Sequence, residues 1–316
     1  MINGLDFRRL RRRDLALTVF ALSAPFLLPA FVPGSPSFIR PAVAETMQKA
    51  DVSRVVSVGG AITEIVYALG EEGRLVGRDS TSTYPEAAKK LPDVGYMRQL
   101  APEGIIAVNP SAIIAVEGSG PPEALAVLKE ANIAFESVPD TYDKAAIPAK
   151  IRAVGAFLGA QDKAEALAKS VEADLDAAVT EAAARPQNER KRVLFVLSTQ
   201  GGKVMASGTG TAANGIIELA GAVNAVGTFP GYKALTDEAI IEAKPDVVLM
   251  MDRGGEHSAK AAELFALPAL SLTPAAKDKA LVRMDGLHLL GFGPRTASAV
   301  RELNAEIYGK KANASQ

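Results

Sequence analysis

An α/β protein of two similar lobes, each built on a mainly parallel sheet and joined by a long rigid helix, is the fold class this sequence predicts. Three observations carry the prediction. The stretch Leu100-Ala-Pro-Glu103-Gly-Ile-Ile-Ala-Val-Asn-Pro110 recurs as Leu235-Thr-Asp-Glu238-Ala-Ile-Ile-Glu-Ala-Lys-Pro245, with Leu, Glu, both Ile and Pro in register 135 residues apart. Short apolar runs alternate with helical spacings on both sides of the chain's middle, as in parallel sheets covered on both faces. Between them, residues 145–184 read as Ala-rich helix, long enough to hold two lobes stiffly.

The elements follow in order. Arg54 to Val58 is a buried strand opened to a turn by Gly59-Gly60, and Ile62, Ile65, Val66 and Leu69 fall at helical spacing before Gly70. Leu75 to Gly77 is a strand, Glu86 to Lys90 a short helix, and Val94-Gly95 a third strand edge. Each repeat copy is a short helix, a Pro-marked turn and an apolar strand. Pro122 to Ala131 is a helix and Ala134 to Val138 a strand; Gly159-Ala160-Gln161 breaks the helical middle, and Asp162 caps its second half. The second lobe restarts with the strand Val193 to Leu197. A helix follows over Asn214 to Ala220, whose Ile217-Glu218-Leu219 echoes Thr63-Glu64-Ile65. After the second repeat copy come a helix near 258–265, a strand at Leu281-Val282, and a last helix from Arg295 to Tyr308 with Pro294 at its opening. The expected organisation is a leader over residues 1–44, a first lobe over 45–160, an inter-lobe helix over 161–186 and a second lobe over 187–316.

The leader is read from Arg8, Arg9, Arg11, Arg12 and Arg13, an apolar run from Leu15 to Val32, and the small-x-small site Ala42-Val43-Ala44. Arg12-Arg13 leaves export by the Sec or the twin-arginine route open. Removing residues 1–44 leaves 272 residues with 29 basic and 34 acidic side chains, a balance unsuited to nucleic acid. No Cys occurs, which excludes a lipid-anchored lipoprotein, a disulfide framework and thiolate metal sites. The expected product is an exported, soluble, monomeric protein.

Several motifs carry little chemistry. Gly208-Thr-Gly210-Thr-Ala-Ala213 matches a dinucleotide fingerprint loosely, but it follows a hairpin and lacks an acidic partner. His257 and His288 alone cannot make a zinc site. The concentrated polar segments are Arg78-Asp-Ser-Thr-Ser-Thr-Tyr84-Pro85 and Val94-Gly-Tyr96-Met97-Arg98, both on loops after short strands, where open α/β sheets hold ligands. Read from the residues alone, these loops are either a ligand site or capped turns around a half-buried Tyr.

Taken together, the export signal, Arg54-Val-Val-Ser-Val-Gly-Gly, Asp79-Ser-Thr-Ser-Thr-Tyr84-Pro, Leu91-Pro-Asp-Val-Gly-Tyr-Met-Arg98-Gln-Leu, Met251-Asp-Arg253-Gly and Leu289-Leu-Gly-Phe-Gly-Pro-Arg295 resemble the periplasmic haem-binding proteins of bacterial haem-uptake ABC transporters. The resemblance spans nearly the whole chain after the leader. It implies the class III periplasmic-binding-protein fold and a non-enzymatic carrier that holds haem in its inter-lobe cleft. It further implies Tyr84 as the axial ligand of ferric haem, with Tyr96 as the alternative. A hard phenolate oxygen suits Fe(III), and because a free tyrosine titrates near 10 a nearby cation helps. Arg253 is the expected cation, Arg98 a second cation or a propionate partner, and Met97 a pocket wall. A sixth ligand from His257 or His288 stays open. Glu103 and Glu238 are implied as permease-docking charges, one per lobe, matching a two-fold ABC permease dimer with its ATPase. A ferric-siderophore or cobalamin carrier of the same fold is the alternative cargo reading, and an exported enzyme using the Gly208 loop the alternative class.

Overall fold

The computed structural model describes residues 51–131, 133–252 and 261–309. The expected leader, Arg253 and His257 lie outside the described residues.

The first sheet is all parallel. Its strands are β1 (Val55–Val58), β2 (Leu75–Arg78), β3 (Ala112–Val116) and β4 (Ala134–Val138), in the order β2-β1-β3-β4. The apolar runs of β1 and β3 explain their central places, since every residue of both is buried. Helices α1 (Gly60–Ala68), α2 (Pro102–Ala107) and α3 (Pro122–Glu130) connect them. Then come α4 (Ala146–Leu158), which Gly159 ends in the left-handed conformation, and α5 (Gln161–Ala183).

The second sheet collects β5 (Arg192–Ser198), β6 (Met205–Ser207), β7 (Val223–Asn224), β8 (Tyr232–Ala234), β9 (Val247–Asp252) and β10 (Leu281–Asp285). Its order is β10-β9-β5-β6-β8, with β7 also on β5. The pairs of β10, β9, β5 and β7 are parallel, whereas β6 runs antiparallel to both β5 and β8. Around it lie α6 (Ala212–Leu219), α7 (Asp237–Ala243), α8 (Ala261–Phe265), α9 (Pro268–Ser271), α10 (Pro274–Lys277), α11 (Gly286–Leu290) and α12 (Thr296–Tyr308).

Helix α5 is a packed element. Its buried stripe Ala164, Ala168, Val171, Leu175, Ala178 and Ala182 steps by three and four residues, one face of a helix about 34 Å long. That face packs on α4 and α12. Small residues bring the axes close: a Cβ on Gly155 of α4 would stand 2.1 Å from the Ala164 Cβ. One apolar cluster therefore runs unbroken from Val55 and Ile65 through Ile151 and Leu175 to Val193, Phe195 and Leu303. Smaller cores back the outer faces of the sheets, around Ile105 and Leu128 in one lobe and Ile240 and Leu270 in the other.

Several expectations need correcting. Val94-Gly95 forms no strand; the chain makes a lone parallel bridge between Arg78 and Asp93, stabilised by the Arg78–Asp93 ion pair at 2.7 Å. Residues Glu86–Lys90 form a 3-10 helix. Asp162 lies inside the first turn of α5 and Ala160 is the cap residue, so the Asp favours the helix through its dipole alone. Helix α12 starts at Thr296 with Arg295 as cap, and the free Arg295 N–H is given to Glu64 Oε1 at 3.1 Å. Pro294 thus precedes the cap and does not fill the first turn.

Candidate functional site

The polar loop after β2 is held by one buried carboxylate. Asp79 is fully buried; its Oδ1 accepts from Gly59 N–H at 3.0 Å and Ser82 Oγ at 2.6 Å. Its Oδ2 accepts from Thr81 N–H at 3.0 Å and Thr81 Oγ1 at 2.6 Å. A second tie links Thr81 Oγ1 to Gly60 N–H at 3.1 Å, and the hydroxyls of Ser57, Thr63 and Ser82 form a buried chain with 2.7 Å steps. With both Asp79 oxygens accepting two hydrogen bonds each, the loop is a rigid bracket on the N-terminus of α1. It ends in a cis Tyr84–Pro85 bond and leaves Tyr84 44% exposed.

Over the Tyr84 ring lies a guanidinium from the other lobe. The Arg295 Cζ stands 3.6 Å from the ring centroid. Arg295 Nη2 donates to Glu64 Oε2 at 2.9 Å, and Glu64 is nearly buried on α1. Arg295 Nη1 meets His288 Nδ1 at 3.3 Å, and His288 Nε2 meets Glu302 Oε2 at 3.1 Å. Arginine only donates, so Nδ1 is the accepting nitrogen and Nε2–H donates to the carboxylate. Both ring nitrogens of His288 are thus engaged behind Arg295. The Arg295 Nε–H is buried without a partner, a donor left over beside the phenol.

The second polar segment lies alongside. Thr81 Oγ1 is 4.0 Å from Met97 Sδ, and Met97 packs against two apolar clusters. Tyr96 is 43% exposed, and Arg98 is exposed above the Gly118 turn. Two further phenols face them. Tyr142 stacks edge-on to Phe292 at 5.4 Å; burial pushes its pKa up, as does Asp140, against the Arg98 charge. Tyr232 of β8 is 43% exposed and meets Phe195 edge-on at 6.4 Å. Burial also pushes its pKa up, against hydrogen bonding to Ser207 and Thr211 and the Arg98 charge.

Four of the six tyrosines therefore gather at the facing edges of the two lobes, a concentration that needs a ligand more than a core. The lobes touch beneath them: a Cβ on Gly60 would lie 2.4 Å from Leu287 Cδ1. Arg295 closes the Leu289–Arg295 segment, where nothing local marks its place over the phenol, and Tyr142 and Tyr232 fall outside every motif of the sequence. The one available signal was Tyr after Pro-Asp-Thr and Pro-Gly turns. Among the described residues no His, Asp or Glu cluster could hold a bare metal ion.

The Gly208 loop is structural. A Cβ on Gly208 would stand 1.9 Å from the Phe229 carbonyl, Thr211 Oγ1 caps α6, and Asn224 Nδ2 donates to the Ser207 carbonyl at 3.1 Å. Its backbone is committed to packing and leaves no phosphate cradle.

Glu103 and Glu238 each sit at the second position of a short helix, exposed, on α2 and α7. The Glu238 backbone N–H and the Thr236 hydroxyl hold its carboxyl below the ordinary carboxylate range.

A model of the periplasmic binding protein family matches residues 55–286. The chain belongs to that family. Among solved structures, the haem-binding protein BhuT in complex with two haems shares 41% identity and a TM-score of 0.76, over 80% of this chain and 97% of that one. The haem-binding protein RhuT from Roseiflexus sp. RS-1 shares 37% identity and a TM-score of 0.77, over 82% and 99%. The ABC transporter substrate-binding lipoprotein YvrC of Bacillus subtilis is 30% identical over 262 residues, 82% of this chain and 81% of its own. A vitamin B12-binding protein of Vibrio vulnificus is 38% identical over 85 residues, 27% of this chain and 31% of its own. The periplasmic binding protein fold, two α/β lobes bridged by a packed helix, is the one described above. The relatives are binding proteins for transport rather than enzymes.

Proposed function

We propose that this periplasmic binding protein carries haem between its lobes, with the Tyr84 phenolate on the ferric iron, and hands it to an ABC permease through Glu103 and Glu238. The observation that carries the reading is the exposed Tyr84 phenol on a rigid bracket with Arg295 stacked on its face. A phenolate is a hard donor matched to Fe(III), and a cation over the ring offsets the charge that ligation develops. The spare Arg295 Nε–H and the exposed Arg98 suit the carboxylates of propionates. Tyr96, Met97, Tyr142 and Tyr232 suit the walls of an aromatic macrocycle. Arg253 remains a proposed second cation, and His288 acts by holding Arg295 in place. Residues 1–44 serve as the export leader, by the Sec or twin-arginine route, and the exported chain works as a monomer. The YvrC relative is a lipoprotein, whereas this sequence holds no Cys to take a lipid.

Haem is preferred to vitamin B12 because the haem-binding relatives cover 80% or more of the chain, whereas the vitamin B12-binding relatives match over 85 to 102 residues. The test is to titrate apo protein with hemin and follow the Soret band, in wild type and in Tyr84→Phe, which keeps the ring under Arg295. A shifted Soret band with a phenolate charge-transfer band is expected in wild type, with the latter lost in the variant. No Soret change in wild type ends the haem reading. An unchanged charge-transfer band in Tyr84→Phe moves the ligand to another residue, Tyr96 first.

A further inference from the structure

The duplicated segment holds more than its two acids. Each copy carries two consecutive isoleucines, and the fold treats them oppositely. Ile105 and Ile240 are 0% and 1% exposed and anchor α2 and α7 in the outer cores. Ile106 and Ile241 are 43% and 39% exposed. Each exposed Ile stands three residues after the docking Glu on the same helix, Glu103 with Ile106 and Glu238 with Ile241, so each pair shares one helix face. Each helix also packs on a neighbour that presents an apolar side chain. Beside α2, Val127 of α3 is 46% exposed; beside α7, Leu272, which follows α9, is 69% exposed. A single exposed apolar side chain is ordinary on a surface, but here an exposed isoleucine stands at the same place beside the acid in both lobes, each with a second exposed apolar residue on the neighbouring element.

We propose that Ile106 and Ile241 are the apolar half of each docking site, knobs that seat in sockets on the two subunits of the permease dimer, with Val127 and Leu272 at the rim. This rests on the docking reading of Glu103 and Glu238. Two like patches in two like lobes fit a receptor with a two-fold axis, and a central apolar contact ringed by charge is how short-lived specific interfaces gain dwell time. The division of labour follows from range. The carboxylates act at a distance and set the rate of encounter, whereas the isoleucines act only in contact and set the rate of departure.

The test immobilises the permease–ATPase complex of this transporter in lipid nanodiscs and follows binding of the hemin-loaded full-length mature protein. Ile106→Ala and Ile241→Ala should each raise the dissociation rate about fivefold, and the pair on the order of twentyfold, with the association rate within a factor of two. Glu103→Gln with Glu238→Gln should instead slow association and flatten its salt dependence. If the double Ile variant keeps wild-type dissociation while the Glu variant loses binding, the knob proposal fails and the docking reading stands. If both variants bind as wild type does, the docking reading fails and takes the proposal with it. A dimer in sedimentation that Ile106→Ala dissolves would assign the face to a second copy of this chain and overturn the proposal. The hemin Soret band and far-ultraviolet circular dichroism of every variant should match wild type, because both isoleucines are exposed and neither belongs to a core cluster.

Discussion

Replacing Arg295 by Leu tests whether its guanidinium joins the lobes as well as stacking on Tyr84. In the native protein Glu64 is 5% exposed and its carboxylate is held by Arg295 Nη2 at 2.9 Å and the Arg295 N–H at 3.1 Å. Arg295→Leu keeps the N–H and removes the charge, leaving a buried carboxylate without its counter-ion. Breaking one side of such a pair costs about 3–5 kcal/mol. Loss of the stack on Tyr84 adds about 0.5–1 kcal/mol, because the phenol is half exposed. A total near 4 kcal/mol should lower the melting temperature of the apo protein by roughly 8 °C or more, taking about 2–4 °C per kcal/mol for a chain of this size. The assay is urea denaturation of the wild type, Arg295→Leu, Glu64→Gln and the double variant. Because both partners of the ion pair are gone in the double variant, it should be more stable than the sum of the singles predicts, with a coupling of about 2 kcal/mol or more. A coupling below about 0.5 kcal/mol would refute the claim that the pair ties α1 to the start of α12.

Two other perturbations bear on the scaffold. Gly155→Ala places a methyl 2.1 Å from the Ala164 Cβ, so α4 and α5 must separate; a loss of about 1–3 kcal/mol by urea denaturation is expected, and an unchanged midpoint would show the helices are not in close contact. Tyr142 has its pKa raised by burial and by Asp140, so the folded state holds the phenol proton more tightly than the unfolded chain. The stability it contributes is complete below pH 10 and is lost as pH rises through the higher folded value. Denaturation midpoints taken from pH 8 to 11 should therefore fall in wild type and fall less in Tyr142→Phe; parallel curves would contradict the assignment.

How much could be read in advance depends on how local the physics is. Strands β1, β3, β5 and β9 were legible because unbroken apolar runs such as Ala112–Val116 have no other stable place than a sheet covered on both faces. The break between α4 and α5 was legible because Gly159 takes a left-handed conformation that other residues resist. The loop at Tyr84 stood out as polar chemistry in an apolar chain, but the role of Asp79 as its organiser did not, since an Asp in a Ser- and Thr-rich stretch reads equally well as solvated. Arg295 was out of reach for a plainer reason: it meets Glu64 across 231 residues, and no local spacing encodes that. Tyr142 was hidden for the same reason, its Phe292 partner lying in the opposite lobe, and Tyr232 because its Phe195 partner lies on another strand of its own sheet. Val94-Gly95 misled because its pattern suits a strand, whereas Asp93 spends its side chain on Arg78 and the ladder stops after one bridge.

The unbroken apolar cluster through α4, α5 and α12 governs where this molecule can yield when its cargo leaves. Prising the lobes apart at α5 would expose Leu175 and its neighbours to water, at a cost comparable to unfolding the whole chain. The segment 286–295 reaches that cluster only through Leu289, Leu290 and Phe292, and its remaining ties include polar contacts at the rim, chiefly Arg295 with Glu64 and His288. Amide hydrogen exchange should find α5 opening only with global unfolding and the segment 286–295 opening far more often; equal protection of the two would argue against this. A permease that empties such a carrier therefore works on a small latch rather than on a wide hinge.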